Sequence, residues 1–177
     1  MSVDGELFDA AQPAINEDTV GHYCFGCGTA NPHGLRLRFR PRTYGGVWAR
    51  FCPARAHEGY LGMTHGGILA TALDEAMSWA VTLAGDLGVT ARMTVTFRQP
   101  ARIDDDLLVV ASVTHSRARA IDTRAEARRL ADNVLVAEAE GRFVRVSNQQ
   151  AAWRVAYSTA DAGDSAFGRA AARNAGE

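Results

Sequence analysis

Residues 64–77, Thr-His-Gly-Gly-Ile-Leu-Ala-Thr-Ala-Leu-Asp-Glu-Ala-Met, set two adjacent acids inside an apolar, helix-forming run that opens on two glycines. This restricts the fold more than any other stretch of the chain. Desolvation raises the free energy of an ionised carboxylate, so a core helix keeps Asp or Glu only where a partner or a chemical task holds it. The start of such a helix has its own chemistry. Its first backbone N–H groups lack intrahelical acceptors and carry the positive end of the dipole, which suits a developing oxyanion on a carbonyl.

The apolar positions 68, 69, 72, 73, 76, 77, 80, 81 and 84 recur every three to four residues, and Gly85 stands where a helix C-cap belongs. The spacing predicts a largely enclosed helix over 67–84. Thr71, Asp74, Glu75, Ser78 and Thr82 share the remaining narrow stripe. Before the helix, residues 35–40 alternate Leu-Arg-Leu-Arg-Phe-Arg, a strand pattern that Pro41 ends, and 47–51 gives a second strand after the Tyr44-Gly45-Gly46 turn. Residues 57–64 read as a connecting loop with glycines at 59 and 62. After the helix, 89–98, 107–117, 121–129 and 134–146 are β-branched, alternating runs separated by Pro100, Asp104-Asp105-Asp106 and Asp132-Asn133. They read as four strands joined by hairpins. A hairpin, one buried helix and a four-stranded meander give an α+β fold, an antiparallel sheet wrapped around a long central helix.

With 177 residues, 47% of them apolar, the chain suits one domain. That domain is expected over 22–147, preceded by a mixed acidic arm at 1–21 and followed by an Ala-, Gly-, Asp- and Arg-rich tail at 148–177, read as a short helix or disorder. A net charge of −1 and the lack of an aromatic-basic pattern argue against a nucleic-acid partner. Every basic residue among the 19 is arginine, a choice that suits phosphate contacts and equally reflects base composition. No apolar run approaches the roughly 20 residues needed to cross a bilayer, and the first 18 residues lack a signal-peptide pattern. Three cysteines, Cys24, Cys27 and Cys52, fit a reducing compartment better than a disulfide framework. A cytoplasmic location without membrane association follows.

Taken together, Cys24-Phe25-Gly26-Cys27-Gly28, Asn31-Pro32-His33-Gly34-Leu35, Gly59-Tyr60-Leu61-Gly62, His65-Gly66-Gly67 with Asp74 nine residues after the histidine, and the strand from Thr90 to Phe97 followed by Pro100-Ala101-Arg102 form a specific set. The chain resembles the hotdog-fold acyl-CoA thioesterases of the phenylacetate-catabolism and small human thioesterase type. The resemblance implies hydrolysis of an acyl thioester, with Asp74 as catalytic carboxylate, acting as general base or nucleophile. It also implies Gly67 or Gly66 as backbone donor to the thioester oxygen, and Thr90 as a hydroxyl that helps position water. Relatives often carry an Asn several residues before the His-Gly-Gly, where this chain has Gly59, with His57 and Glu58 nearby as substitutes. No metal or organic cofactor is implied; coenzyme A enters as part of the substrate.

Helix geometry constrains how such a site assembles. Gly67 and Asp74 lie seven residues apart, on nearly the same face but about 10 Å apart along the axis at roughly 1.5 Å per residue. A reacting carbon sits about 3 Å from both donor and base, which is easiest when the two come from different subunits. The dimer of the family, with its site at the interface, meets this condition. A homodimer with two equivalent sites is therefore expected, open to pairing again into a tetramer.

The remaining polar residues divide more evenly. Glu75 is read as a rim or interface residue paired with an arginine and, with Thr71 on the same stripe, as a substrate-binding neighbour. His65 either enters the helix by bonding a backbone group or orients substrate. His22, Cys24, Cys27 and His33 permit a zinc reading, although only one Cys-x-x-Cys pair exists and the resemblance supplies a turn-and-packing role instead. Cys52 is expected to be a small core residue. Arg102 stands equally for a coenzyme A phosphate contact and a solvated strand edge; Arg117 and Arg119 favour the latter. Trp79 and Met77 are core before they are acyl pocket. The competing functions are a thioesterase acting on acyl-carrier-protein substrates and a non-catalytic acyl-CoA-binding protein.

Overall fold

The computed structural model describes residues 2, 3, 6–17 and 23–146. The tail at 148–177 and the arm residues 1, 4, 5 and 18–22 lie outside the described residues. In chain order the elements are β1 (Ser2–Val3), β2 (Glu6–Leu7), β3 (Arg40–Pro41), β4 (Val47–Phe51), a 3-10 turn at Arg55–His57, α1 (Gly66–Leu83), β5 (Gly88–Phe97), β6 (Leu107–Ser116), β7 (Ala120–Arg129) and β8 (Leu135–Arg145).

α1 forms where the periodicity places it, shifted by one residue at each end. His65 is its N-cap, and Gly85, at φ +89°, takes the left-handed conformation after it. The helix buries Leu69, Ala72, Leu73, Ala76, Met77, Trp79, Ala80 and Val81 against one face of the sheet. The facing strands contribute Val47, Ala49, Phe51, Leu107, Val109, Ala125, Val136 and Phe143. Each fully buried Leu, Val or Phe contributes about 1.5–3 kcal/mol, so this single interface carries most of the hydrophobic stabilisation. No helix among the described residues is long and apolar enough to cross a membrane.

The six-stranded antiparallel sheet has the order β3-β4-β6-β7-β8-β5, curled around α1: the hotdog fold. Two details differ from the sequence expectation. The last four strands are not a simple meander, because β5 pairs with β8 at the far edge and β6 pairs with β4. The linker from 98 to 106 crosses between these positions, with the Ile103 N–H donating to Gly62 O and the Asp104 N–H to Pro53 O. Alternation along a strand says which face is buried but not which strand lies beside it.

Residues 35–39 are the second difference. They keep the alternating burial of Leu35, Leu37 and Phe39, yet only Arg40–Pro41 enters the sheet. The Leu35 and Leu37 N–H groups donate instead to Phe25 O and Gly26 O, so this segment is laid against the cysteine loop. The arm anchors it from the other side. Asn16, fully buried, donates from Nδ2 to Leu37 O and accepts the Phe39 N–H on Oδ1. Phe8 packs edge-on against Trp48, forming with Leu108 a small second cluster.

Candidate functional site

The first turn of α1 presents two glycine amides with different fates. His65 Nδ1 accepts the Gly67 N–H at 2.9 Å, a side-chain cap that satisfies one orphan donor. The Gly66 N–H has no acceptor among the described residues. Of the two glycines expected as carbonyl donors, Gly66 is therefore the one with its hydrogen available. A cleft of about 320 Å³ opens beside it, lined by Thr64, Gly66, Leu69, Phe97, Pro100 and Ala101. A Cβ at Gly66 would come to 3.3 Å from the Phe97 ring. Phe97 belongs to the site without having been singled out as a site residue. Its signal is a large aromatic at the end of an edge strand, half exposed in the single chain.

Further along α1, Asp74 is half-buried and its Oδ1 accepts the Thr90 hydroxyl at 2.8 Å. Oδ2 has no donor among the described residues. Burial pushes the Asp74 carboxyl up from its ordinary value, and the Thr90 hydrogen bond pulls it part of the way back. Thr90 reaches the helix from β5, where the register with β8 shifts between Thr90 and Arg92. That bulge locally re-aims the strand next to the carboxylate.

Glu75 points elsewhere, because consecutive helix residues are rotated by about 100°. Its partners are not an arginine, as expected, but Trp79 Nε1, which donates to Oε1 at 3.0 Å, and Cys24 Sγ at 3.5 Å from Oε2 and 3.7 Å from Oε1. Burial, first, and the neighbouring Cys24 push its carboxyl up to about 7. The narrow polar stripe is thus divided: Asp74 faces β5, Glu75 faces the cysteine loop, and Thr82 is buried with its hydroxyl on Ser78 O. Cys52 also departs from expectation; it is exposed, since it follows the last residue of β4 as the chain leaves the sheet.

The residues considered as stand-ins near Gly59 are engaged in their own loop. His57 Nδ1 accepts the Ala54 N–H at 3.0 Å, and its ring packs on Phe51. Glu58 Oε1 accepts the Gly62 N–H at 2.5 Å. Gly59 itself lies against His65, where a Cβ would meet the His65 Cα at 3.0 Å. The Thr71 hydroxyl donates to Gly67 O at 2.8 Å, within the helix. Arg102 is exposed; its backbone N–H donates to Asp105 Oδ2 at 2.8 Å and its guanidinium has no acidic partner among the described residues, while Arg117 pairs with Asp122 at 2.8 Å. Arg119 is exposed, with its backbone carbonyl accepting the Arg145 N–H. Trp79 and Met77 are buried in the core, the indole stacked on Phe39 at 6.2 Å between ring centroids.

Comparison with known proteins agrees with the fold. Residues 61–136 match the family model described as Thioesterase superfamily. An uncharacterized protein of Schizosaccharomyces pombe is 34% identical over 94 residues, 50% of this chain and 54% of that protein. The chain thus spans about half the length of this relative. Among solved structures, a thioesterase superfamily protein superposes with a TM-score of 0.66 at 24% identity, covering 69% of this chain and 63% of the other. A hypothetical thioesterase from Streptococcus pneumoniae, crystallised with coenzyme A, gives 0.58 at 19% identity over 62% of this chain and 88% of its own. That protein has also been solved as an Asp→Ala and as a Thr→Ala variant.

Proposed function

We propose, from the premise that residues 61–136 are a thioesterase-superfamily domain, that this protein hydrolyses acyl-CoA thioesters with Asp74 as general base. The observation that carries the reading is the Asp74–Thr90 pair. One carboxylate oxygen is fixed by a hydroxyl at 2.8 Å, and the other is left to accept a proton from water. The replaced aspartate and threonine of the Streptococcus pneumoniae variants stand 16 positions apart, the same separation as Asp74 and Thr90. The coenzyme A in that protein supports the substrate class.

The chemistry follows from the groups in hand. Water attacks the thioester carbon as its proton passes to Asp74 Oδ2, and the carbonyl oxygen becomes an oxyanion held by the Gly66 N–H. Collapse of the tetrahedral intermediate breaks the carbon–sulfur bond. The leaving thiolate recovers the proton from Asp74, which restores the base. Phe97, Leu69 and Pro100 supply an apolar wall beside the oxyanion donor, where the acyl group is shielded from water. His65 positions the first turn of the helix through its cap on Gly67 rather than by touching substrate.

The separation of Gly66 and Asp74 along one helix favours a site whose two groups come from two subunits. β5 supports this arrangement. It is a ten-residue edge strand with one side paired to β8, and Val89 and Phe97 at its two ends are exposed. A long edge strand with exposed apolar residues at its ends invites pairing with a second copy, so the working unit in this reading is a homodimer with two equivalent sites. Release of free thiol from matched acyl-CoA and acyl-carrier-protein substrates, followed with a thiol-reactive dye, tests the reading. Asp74→Asn is expected to lower kcat/KM on acyl-CoA by about 10²–10⁴-fold with the fold retained. Near wild-type turnover by that variant, or binding without thiol release by the native protein, overturns it.

A further inference from the structure

We infer that Cys24, Cys27 and Glu75 form a site for a thiophilic divalent cation of the zinc class, tying the cysteine loop to α1. The two sulfurs and a carboxylate oxygen all lie within 4.8 Å of one another. Donors on a tetrahedral zinc, with Zn–S about 2.3 Å and Zn–O about 2.1 Å, are separated by roughly 3.6 Å for a sulfur–oxygen pair. Cys24 Sγ stands 3.5 Å from Glu75 Oε2. Cys24 and Glu75 are already spaced as ligands of one ion, and Cys27 Sγ lies within 4.8 Å of both.

Three further observations point the same way. Glu75 is a deeply placed carboxylate with no cation in ion-pair reach among the described residues, an arrangement that is costly unless something neutralises it. Trp79 Nε1–H donates to Glu75 Oε1, and the indole is held in turn by its stack on Phe39. That is how an outer group orients a ligating carboxylate. Gly26 leaves the room the carboxylate needs, since a Cβ there would lie 2.5 Å from Glu75 Oε2.

The loop favours a thiolate at Cys24, while the Cys24 contact and burial push the Cys27 thiol up. Its Cys-x-x-Cys-Gly turn closes with the Gly28 N–H on Cys24 O, and Cys24 is held low, to about 5, chiefly by the Cys27 thiol and also by the backbone N–H groups of Cys27 and Gly26. Binding releases the remaining thiol protons to solvent and exchanges them for the ion. Two thiolates and one carboxylate select a borderline-soft metal over magnesium or calcium, and three protein ligands leave a fourth tetrahedral position for water. His33 is exposed and outside the cluster, and His22 lies outside the described residues, so the ligand set differs from the one the cysteine–histidine spacing suggests.

The test uses the full chain, purified under reducing conditions without chelator. Elemental analysis is expected to find about one zinc per chain. Cobalt(II) added to chelator-stripped protein should produce thiolate-to-cobalt charge-transfer absorption in the near ultraviolet and raise the thermal midpoint. The band should vanish in Cys24→Ser and Cys27→Ser, and Trp79→Phe should weaken cobalt affinity by about tenfold. Asp74→Asn should bind cobalt like the native protein while hydrolysis is lost, which separates this site from the proposed catalytic one. Native protein that carries no zinc and shows no cobalt band overturns the inference. So does a band that persists in the doubly substituted Cys24→Ser, Cys27→Ser protein.

Discussion

Thr90 donates its hydroxyl hydrogen to Asp74 Oδ1 at 2.8 Å, and this one bond joins the edge strand β5 to the central helix where both are open to solvent. It separates the two carboxylate oxygens. Oδ1 is committed to Thr90, and Oδ2 has no donor among the described residues. A hydroxyl on a strand is a stiff anchor, because the β-branched side chain of threonine has few rotamers. The bulge beside it supplies the local bend that brings Oγ1 into range.

Replacing that hydroxyl should therefore reduce catalysis without unfolding the protein. A hydrogen bond to a charged group contributes about 1.5–3 kcal/mol, so Thr90→Val is expected to lower kcat/KM by roughly 10–100-fold. Thr90→Ser, which keeps the donor, should recover most of the loss. Steady-state hydrolysis of one acyl-CoA by the three proteins decides it. Equal rates for the valine and serine variants would show that the hydroxyl positions nothing.

Much of the fold was legible in the sequence because periodicity reports burial directly. The helix came within one residue at each end, and the strand alternation survived even at Leu35, Leu37 and Phe39, where no ladder forms. Strand neighbours were not legible: β5 crosses to pair with β8 because the linker after Phe97 runs across the sheet, a long-range choice with no local pattern. The candidate site divides in the same way. Asp74 and the helix start stood out by composition, since acids and paired glycines are costly in an apolar helix. That Gly66 rather than Gly67 keeps a free amide depends on a histidine rotamer. That Glu75 meets two cysteines rather than an arginine depends on how a loop 51 residues away is laid against the helix.

Gly59 stands where the resemblance leads one to expect an Asn, and its surroundings give a physical reason for the glycine. A Cβ there would meet the His65 Cα at 3.0 Å and its Cβ at 3.2 Å. Gly59→Asn should push the N-cap histidine off Gly67, destabilise the protein by about 1–3 kcal/mol and lower turnover. Urea midpoints and hydrolysis rates measured together test this. A variant that is equally stable and faster would mean that the histidine yields and that the family's asparagine role is simply restored.

Asp122 offers a pH test away from the site. The Arg142 guanidinium, and after it Arg117, hold its carboxyl below the ordinary carboxylate value. Because the folded value is the lower one, the unfolded chain binds more protons in the window between the two, so the pair stabilises fully above the ordinary carboxylate range. That stabilisation disappears as pH falls through the folded value. The thermal midpoint of Asp122→Asn should lie below the native one at neutral pH, with the gap closing on acidification. The gap should also shrink in high salt, since the arginines are exposed. A gap independent of pH would assign the loss to packing instead.

The proposed sharing of each site between two subunits yields the most demanding prediction. If Gly66 of one subunit and Asp74 of the other serve the same carbonyl, two inactive proteins should rescue each other. Gly66→Val fills the space beside Phe97, where a Cβ already comes to 3.3 Å from the ring, and should block approach to the free amide. Asp74→Asn removes the base. In a mixed dimer one site collects both substitutions and the other collects none. Equal mixing of subunits makes half the dimers mixed, each with one intact site, so about a quarter of native activity should return on co-refolding. Mixtures of either variant with itself should stay inactive. If both groups of a site belonged to one chain, every subunit would remain defective whatever its companion, and the mixture would recover nothing.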